Sequence, residues 1–231
     1  MSLLTADDVG AVLLSLKVAS VATLGGLPIA LAAAYYLARQ GRFAGRLTLD
    51  TLVHLPLVLP PVATGFALLV LFGAHGPIGR VLHAAGITLA FRWTGAALAC
   101  AVMAFPLMVR PMRLAIEAID PEVEEVARTL GASPVARFFQ LTVPLAAPGI
   151  AAGAVLGFAK ALGEFGATIT FVGAIPGETL TLPTAIYQAT QTPGSETRAL
   201  ALCGLSATLA IGAVLASELV NRRAARRVRG S

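Results

Sequence analysis

Long apolar runs separated by short polar segments make up most of the chain. Five runs stand out: residues 9–38, 52–73, 93–109 with a further turn at each end, 147–172 and 199–217. Each is close to the ~20 residues that a helix needs to cross the hydrocarbon core of a bilayer. The pattern predicts an all-α polytopic membrane protein with about five spans, with six as the alternative. Residues 179–195 are also uncharged, but their Thr, Gln, Pro and Ser content favours a loop or a re-entrant segment.

The composition agrees with a membrane domain to which no soluble domain is attached. Of the 231 residues, 57% are hydrophobic and 13% are charged, and the mean hydropathy is +0.81. A soluble core cannot hide this many apolar runs, so we expect a single membrane domain over residues 1–231. The amino-terminal segment carries Asp7 and Asp8 ahead of its first basic residue, Lys17. A cleaved signal peptide is therefore not expected.

The arginines are distributed unevenly between the two sides of the predicted spans. Three of them, Arg80, Arg92 and Arg198, lie on one side. Twelve lie on the other side: Arg39, Arg42, Arg46, Arg110, Arg113, Arg128, Arg137, Arg222, Arg223, Arg226, Arg227 and Arg229. The positive-inside rule then predicts an outside amino terminus and a cytoplasmic carboxyl terminus. The basic tail is interpreted as an anchor facing anionic lipid, and no nucleic-acid partner is expected.

No sequence motif indicates catalysis or a resident cofactor. The chain has no Walker-type phosphate loop and no HExxH, and His54, His75 and His83 lack ligand spacing. Cys100 and Cys203 both lie in apolar runs and are not spaced as a metal site or a disulfide pair. We therefore expect no enzyme activity from this chain alone, and no cofactor or metal bound by it.

Charges and prolines inside the apolar runs mark a candidate translocation pathway. Lys160 and Glu164 are four residues apart, so they can form an ion pair on one helix face. An interior structural pair and a substrate contact are both open interpretations. Pro60 and Pro61 follow Pro56 in "HLPLVLPP" and predict a bent helix, either for packing or to line a pathway.

Two further features belong to the same set. The segment "GEFGAT", which ends at Thr168, places small residues beside a carboxylate and permits close helix contact. Thr168 is included as a candidate pathway residue. Lys17 lies near the outer edge of the first span, and its amine is expected to reach the membrane interface.

The charged stretch 120–149 predicts two short capped helices. Asp120 can cap a helix that begins at Pro121, and acids in the first turns suit its dipole. Gly131 suits the left-handed residue that ends such a helix, and Ser133 followed by Pro134 repeats the cap signal. An ordinary solvated hairpin between two spans is the competing interpretation.

The same stretch resembles the EAA loop of ABC-importer permeases, whose pattern is Glu-Ala-Ala, three residues, Gly, nine residues, Ile-x-Leu-Pro. Here it reads Glu125-Val126-Ala127, "RTL", Gly131, "ASPVARFFQ" and Leu141-Thr142-Val143-Pro144. The resemblance implies a cytoplasmic coupling loop over 120–145 that docks a nucleotide-binding subunit. The residues it assigns to coupling are Glu125, Val126, Ala127, Leu130, Gly131, Leu141 and Pro144.

Four other segments are similar to those of molybdate-transporter permeases: "HLPLVLPPVATG", "FPLMVRPMRLAIE", "GEFGATITFVG" and "IPGETLTLPTAIY". This resemblance implies a type I ABC-importer transmembrane domain in a bacterial inner membrane, acting as a homodimer. The implied partners are two ATP-binding cassette subunits, which hold the ATP and magnesium, and a periplasmic molybdate-binding protein. Tungstate is nearly isosteric with molybdate and is not separated from it.

Other functions remain as alternatives. Sulfate or thiosulfate permeases share the "GEFGA" and EAA elements, but they are usually longer. A secondary anion transporter would be expected to show broken-helix repeats or ion-coordinating acids in its spans, and Glu164 alone clearly fits. A membrane scaffold that binds a partner through the loop is the remaining alternative.

Overall fold

The fold is all-α, as the sequence predicts. The computed structural model describes residues 5–39 and 45–229, and the side chains within them except at 213, 214 and 216–229. No β-strand occurs within these ranges. The helices are α1 (Ala6–Arg39), α2 (Arg46–Val58), α3 (Pro61–Phe72), α4 (Pro77–Ala84), α5 (Trp93–Glu117), α6 (Pro121–Thr129), α7 (Pro134–Arg137), a π-helical segment (Phe138–Thr142), α8 (Val143–Leu145), α9 (Ala147–Leu162), α10 (Gly166–Val172), α11 (Leu182–Gln191) and α12 (Glu196–Arg229).

Among the described residues, α1 and α5 are each long and apolar enough to cross a membrane alone. Two bent helix pairs bring the total to four spans if each pair counts as one: α2 with α3, and Pro134–Leu145 with α9. The fifth predicted run, 199–217, lies within α12. Arg42 lies outside the described residues, as do the side chains of the basic tail, so the span count and the orientation stay predictions.

The second predicted span, 52–73, is two helices and not one. The axes of α2 and α3 differ in direction by 115°. The break falls at Pro60 and Pro61, which have no backbone N–H to donate, and the residue before them is extended, with φ −71° and ψ 141° at Leu59. The predicted bend is therefore present, and it separates the run into two helices that point in different directions.

The fourth predicted span, 147–172, is also interrupted. Helix α9 ends at Leu162, and α10 begins at Gly166 after a short turn. Residues 179–195, for which a loop or re-entrant segment was the prediction, contain the regular helix α11. Its first residue, Leu182, is buried and its N–H donates to the Ser15 hydroxyl of α1 at 2.7 Å, so the loop interpretation is wrong for this part.

The centre of the molecule is formed by α1, α5 and α9, which pack closely because small side chains line their contacts. Gly153 and Gly157 of α9 face Met108 and Met112, two of the buried methionines of α5. A Cβ added at Gly157 would lie 2.5 Å from the Cγ atom of Met108, so this approach requires glycine. The three-helix core holds the polar segment 118–146 between α5 and α9.

Candidate functional site

The segment 120–133 forms the predicted helix, turn and second helix start. Asp120 caps α6, because its Oδ1 accepts the Glu122 N–H at 2.9 Å. Gly131 is left-handed, with φ +85°. The N–H groups of Gly131 and Ala132 donate to the carbonyls of Arg128 and Ala127, each at 3.0 Å. This is the Schellman pattern that ends a helix.

The second helix of the loop starts as predicted and then departs from α-helical geometry. The Ser133 hydroxyl accepts the Ala136 N–H at 3.2 Å, which caps α7. The next turn, Phe138–Thr142, is π-helical. Pro144 supplies the physical reason, because it donates no hydrogen bond and its ring displaces the carbonyl one turn earlier. The proline was the sequence signal from which this irregular turn could have been predicted.

One face of α6 presents apolar side chains to the surroundings of the chain. The exposed fractions are 42% for Val123, 58% for Val126 and 82% for Leu130. Their spacing of three and four residues places them on one side of the helix. A short helix with such an exposed stripe can insert into a hydrophobic groove of another protein.

The remaining predicted coupling residues are spread over both halves of the loop. Glu125 forms an exposed pair with Arg128, at 3.4 Å between Oε1 and Nη2. Ala127 is half-buried on α6, Leu141 is half-buried in the π-helical segment, and Pro144 is exposed in α8. The predicted residues are therefore spread along the loop over α6, the π-helical segment and α8, and they do not form a pocket.

The contacts between the loop and α1 were not predicted from the sequence. Arg39, the last residue of α1, has its Nε 3.1 Å from Glu124 Oε1, with side chains 15% and 20% exposed. The Thr142 hydroxyl donates to the same carboxylate oxygen at 3.4 Å. The rings of Tyr35 and Phe138 meet edge to face, with centroids 5.0 Å apart. No short-range pattern could have revealed these contacts, because they join residues far apart in the sequence.

The predicted ion pair between Lys160 and Glu164 is present. Lys160 Nζ lies 2.7 Å from Glu164 Oε2, and the side chains are 30% and 1% exposed. The prediction that both residues share a face of one helix is wrong, because α9 ends at Leu162 and Glu164 lies in the break. The other oxygen of Glu164 accepts the Ala167 N–H at 2.9 Å and so caps the start of α10.

The break in the second predicted span, between α2 and α3, contacts the break in the fourth, between α9 and α10. A Cβ added at Gly166 would lie 2.7 Å from the Cβ of Pro61, and one added at Gly65 would lie 2.5 Å from the Ala167 carbonyl oxygen. The close helix contact predicted from "GEFGAT" is therefore present. Pro60 is exposed beside this contact.

The other two polar candidates have partners within the chain. Thr168 is buried, and its hydroxyl donates to the Phe165 carbonyl at 2.8 Å. Lys17, which was expected to extend to the membrane interface, has its Nζ 3.6 Å from the ring centroid of Trp93 and forms a cation–π contact. Among the described residues, no group of three or more His, Cys, Asp or Glu side chains could hold a metal ion.

The helical fold, with its broken spans and its exposed capped loop between α5 and α9, defines the transmembrane domain of a type I ABC importer. The chain superposes on the crystal structure of a bacterial ABC transporter involved in the import of the acidic polysaccharide alginate with a TM-score of 0.77. That match covers 95% of this chain and 80% of the other at 20% identity.

Residues 26–230 match the family described as binding-protein-dependent transport system inner membrane component, and the chain belongs to this family. It is 54% identical over 221 residues to the molybdenum transport system permease protein ModB of Escherichia coli K12, covering 95% of this chain and 96% of that protein. It is 38% identical over 189 residues to the sulfate transport system permease protein CysW of Synechococcus elongatus, covering 80% of this chain and 66% of that protein. The predicted multi-pass location in the inner membrane is thereby confirmed, as is the resemblance to ABC-importer permeases.

Proposed function

We propose that this chain is the membrane-spanning subunit of an ATP-driven importer of molybdate, delivered by a periplasmic binding protein. The observation that supports this substrate is the 54% identity to a molybdenum permease over nearly the full length of both chains. The identity to the sulfate permease is lower and covers less of either chain. Tungstate, which has almost the same size and charge, is a second substrate of the same proposal.

The assembly in this proposal contains two copies of the chain, each with residues 1–231 as one permease domain. Two ATP-binding cassette subunits bind to the cytoplasmic side and supply the ATP and magnesium sites. The periplasmic binding protein docks on the opposite side, and the amino terminus faces outward. The uneven distribution of arginines supports this orientation.

Coupling is assigned to the loop 120–145. The capped ends of α6 make it a rigid body, and its exposed apolar stripe gives it a surface for a groove in the ATP-binding subunit. Closure of the two ATP-binding subunits around ATP then displaces α6, and the displacement opens the spans toward the periplasm. The exposure of Val126 and Leu130 is the single structural observation on which this assignment depends.

The pathway in this proposal is a conduit with little fixed charge. Lys160 and Glu164 neutralise each other, so neither is free to hold a dianion tightly or to repel it. Pro60, Pro61 and Thr168 lie in or near the two helix breaks, where a change in the angle between helices alters the opening. Selection of the anion is left to the binding protein.

A secondary transporter is the competing function. The two broken spans remove one sequence argument against it, because broken helices are frequent in such transporters. The family match and the exposed coupling loop favour the ABC importer, since a secondary transporter needs no docking loop for an ATPase. The requirement for ATP distinguishes the two functions.

The test is reconstitution of the permease with its ATP-binding and binding-protein partners in liposomes that contain ATP. We expect molybdate uptake that depends on ATP and on the binding protein. Replacement of Gly131 by Asp should abolish stimulated ATP hydrolysis, because a side chain at φ +85° costs roughly 1–2 kcal/mol and misaims α6.

A matched control separates coupling from general strain. Gly194 lies in the turn before α12 with φ +79°, and, as at Gly131, a Cβ there meets nothing within 4 Å. Gly194→Asp should therefore carry the same backbone strain and keep membrane insertion, the bound ATP-binding subunit and basal hydrolysis. Full coupled hydrolysis in a Gly131→Asp protein that inserts normally would show that the loop is not the coupling element.

A further inference from the structure

The end of α1 nearest the coupling loop is attached to both halves of that loop. Arg39 pairs with Glu124 of α6, at 3.1 Å between Nε and Oε1. One helical turn earlier in α1, Tyr35 contacts Phe138 of the π-helical segment, edge to face. Two contacts one turn apart hold a helix against both translation and rotation about its axis.

The polar contact extends beyond a single ion pair. Both terminal nitrogens of Arg39 lie 3.4 Å from the carbonyl oxygen of Ile119, where the loop begins. Glu124 Oε1 also accepts the Thr142 hydroxyl at 3.4 Å, and Thr142 itself is 1% exposed. One carboxylate thus joins α6, α1 and the π-helical segment.

The neighbouring acid provides a contrast within the same helix. Glu125, to which the family resemblance assigns coupling, pairs with Arg128 in the next turn, and both side chains are more than half exposed. Exposed ion pairs of this kind contribute little to stability. Glu124 is only 20% exposed and contacts a different helix, so Glu124, and not Glu125, attaches α6 to α1.

We infer that Arg39 and Glu124 are positioning residues that transmit the displacement of the coupling loop to α1. This inference rests on the proposed function, because it specifies how the same loop acts on the spans. Helix α1 has 34 residues, which corresponds to a length of about 51 Å. It therefore reaches from the loop to the opposite side of the domain.

The far end of α1 is itself attached to other helices, so a displacement there has consequences. Ser15 accepts the first N–H of α11 at 2.7 Å, and Asp8, which is fully buried, pairs with Arg198 of α12 at 2.6 Å. A shift of α1 that starts at Arg39 is therefore transmitted to α11 and α12. The two ends of one helix link the coupling loop to the opposite face of the domain.

The experiment measures ATP hydrolysis by the complete transporter in liposomes, with and without the molybdate-loaded binding protein. Three variants are compared with the natural chain: Arg39→Gln, Glu124→Gln and the double variant. The matched control is Glu122→Gln, which removes an exposed acid from the first turn of the same helix. The amount of ATP-binding subunit that co-purifies with each variant is measured in parallel.

We expect each single variant to retain its ATP-binding subunit and its basal hydrolysis. Stimulation by the binding protein should fall by about fivefold or more, since fivefold is the lower end of the range for energetic coupling between two sites. The double variant should lose no more than the more affected single variant, because both residues act through one contact. Glu122→Gln should keep stimulation within twofold of the natural chain.

Three results would overturn the inference: single variants with natural stimulation, losses that multiply in the double variant, or loss of the ATP-binding subunit from the complex. The last would assign Arg39 and Glu124 to assembly instead. If the proposed function is wrong, the result differs: ATP hydrolysis by the complete transporter with the natural chain would not be stimulated by the binding protein.

Discussion

The ion pair between Lys160 and Glu164 allows a quantitative test of how the break between α9 and α10 is stabilised. The perturbation is removal of one partner at a time, by Lys160→Met or Glu164→Gln, and of both together. Glu164 is almost completely buried, with a side chain 1% exposed, whereas that of Lys160 is 30% exposed. The two single replacements should therefore have unequal effects.

The magnitude follows from what each replacement leaves behind. Without the Lys160 ammonium, the Glu164 carboxylate keeps one hydrogen bond, from the Ala167 N–H at 2.9 Å. Breaking a buried pair from one side costs about 3–5 kcal/mol, and the partial exposure of Lys160 places the expected loss near the lower limit, about 3 kcal/mol. Glu164→Gln leaves an ammonium that water reaches, so we expect about 1–2 kcal/mol. The double variant should lose less stability than Lys160→Met, because it leaves no buried charge unpaired.

The assay is thermal unfolding of the purified permease in detergent. The measured quantity is the fraction of protein that stays monodisperse after heating to each temperature. For a chain of this size, 1 kcal/mol corresponds to roughly 2–4 °C, so Lys160→Met should lower the transition by about 6–12 °C. Lys160→Arg keeps the charge and serves as the control, with a shift of a few degrees at most. A double variant that is less stable than Lys160→Met would refute the reasoning, because the penalty would then not come from an unpaired buried carboxylate.

Two further predictions concern topology and helix contact. Alkaline phosphatase fused after residue 231 should be inactive, because the distribution of arginines predicts a cytoplasmic carboxyl terminus. An active fusion would contradict the predicted topology of five spans with an outside amino terminus. Gly65→Ala should destabilise the permease by about 1–3 kcal/mol in the same thermal assay, because the added Cβ would lie 2.5 Å from the Ala167 carbonyl oxygen. Gly25→Ala in α1 is the control, since a Cβ there meets nothing within 4 Å, and equal stability of the two variants would contradict the contact between α3 and α10.

The sequence alone determined the features that depend on neighbouring residues. The cap at Asp120, the left-handed turn at Gly131 and the second cap at Ser133 were predicted correctly, because each is a hydrogen bond or a backbone preference within a few residues. The apolar runs likewise predicted a polytopic helical protein, since hydropathy is a local sum.

The tertiary structure alone decided how those elements meet. The prolines at 60 and 61 predicted a bend, but the 115° angle depends on where α3 packs, which is on α10 through Gly65 and Gly166. The sequence spacing of Lys160 and Glu164 predicted their contact, but not that the helix ends between them. The attachment of α1 to the coupling loop joins Arg39 to Glu124, and four complete helices, α2 to α5, separate these residues in the sequence. No local pattern encodes such a contact. Short-range hydrogen bonding sets the helices and their ends, whereas long-range packing sets their angles and the residues that link them.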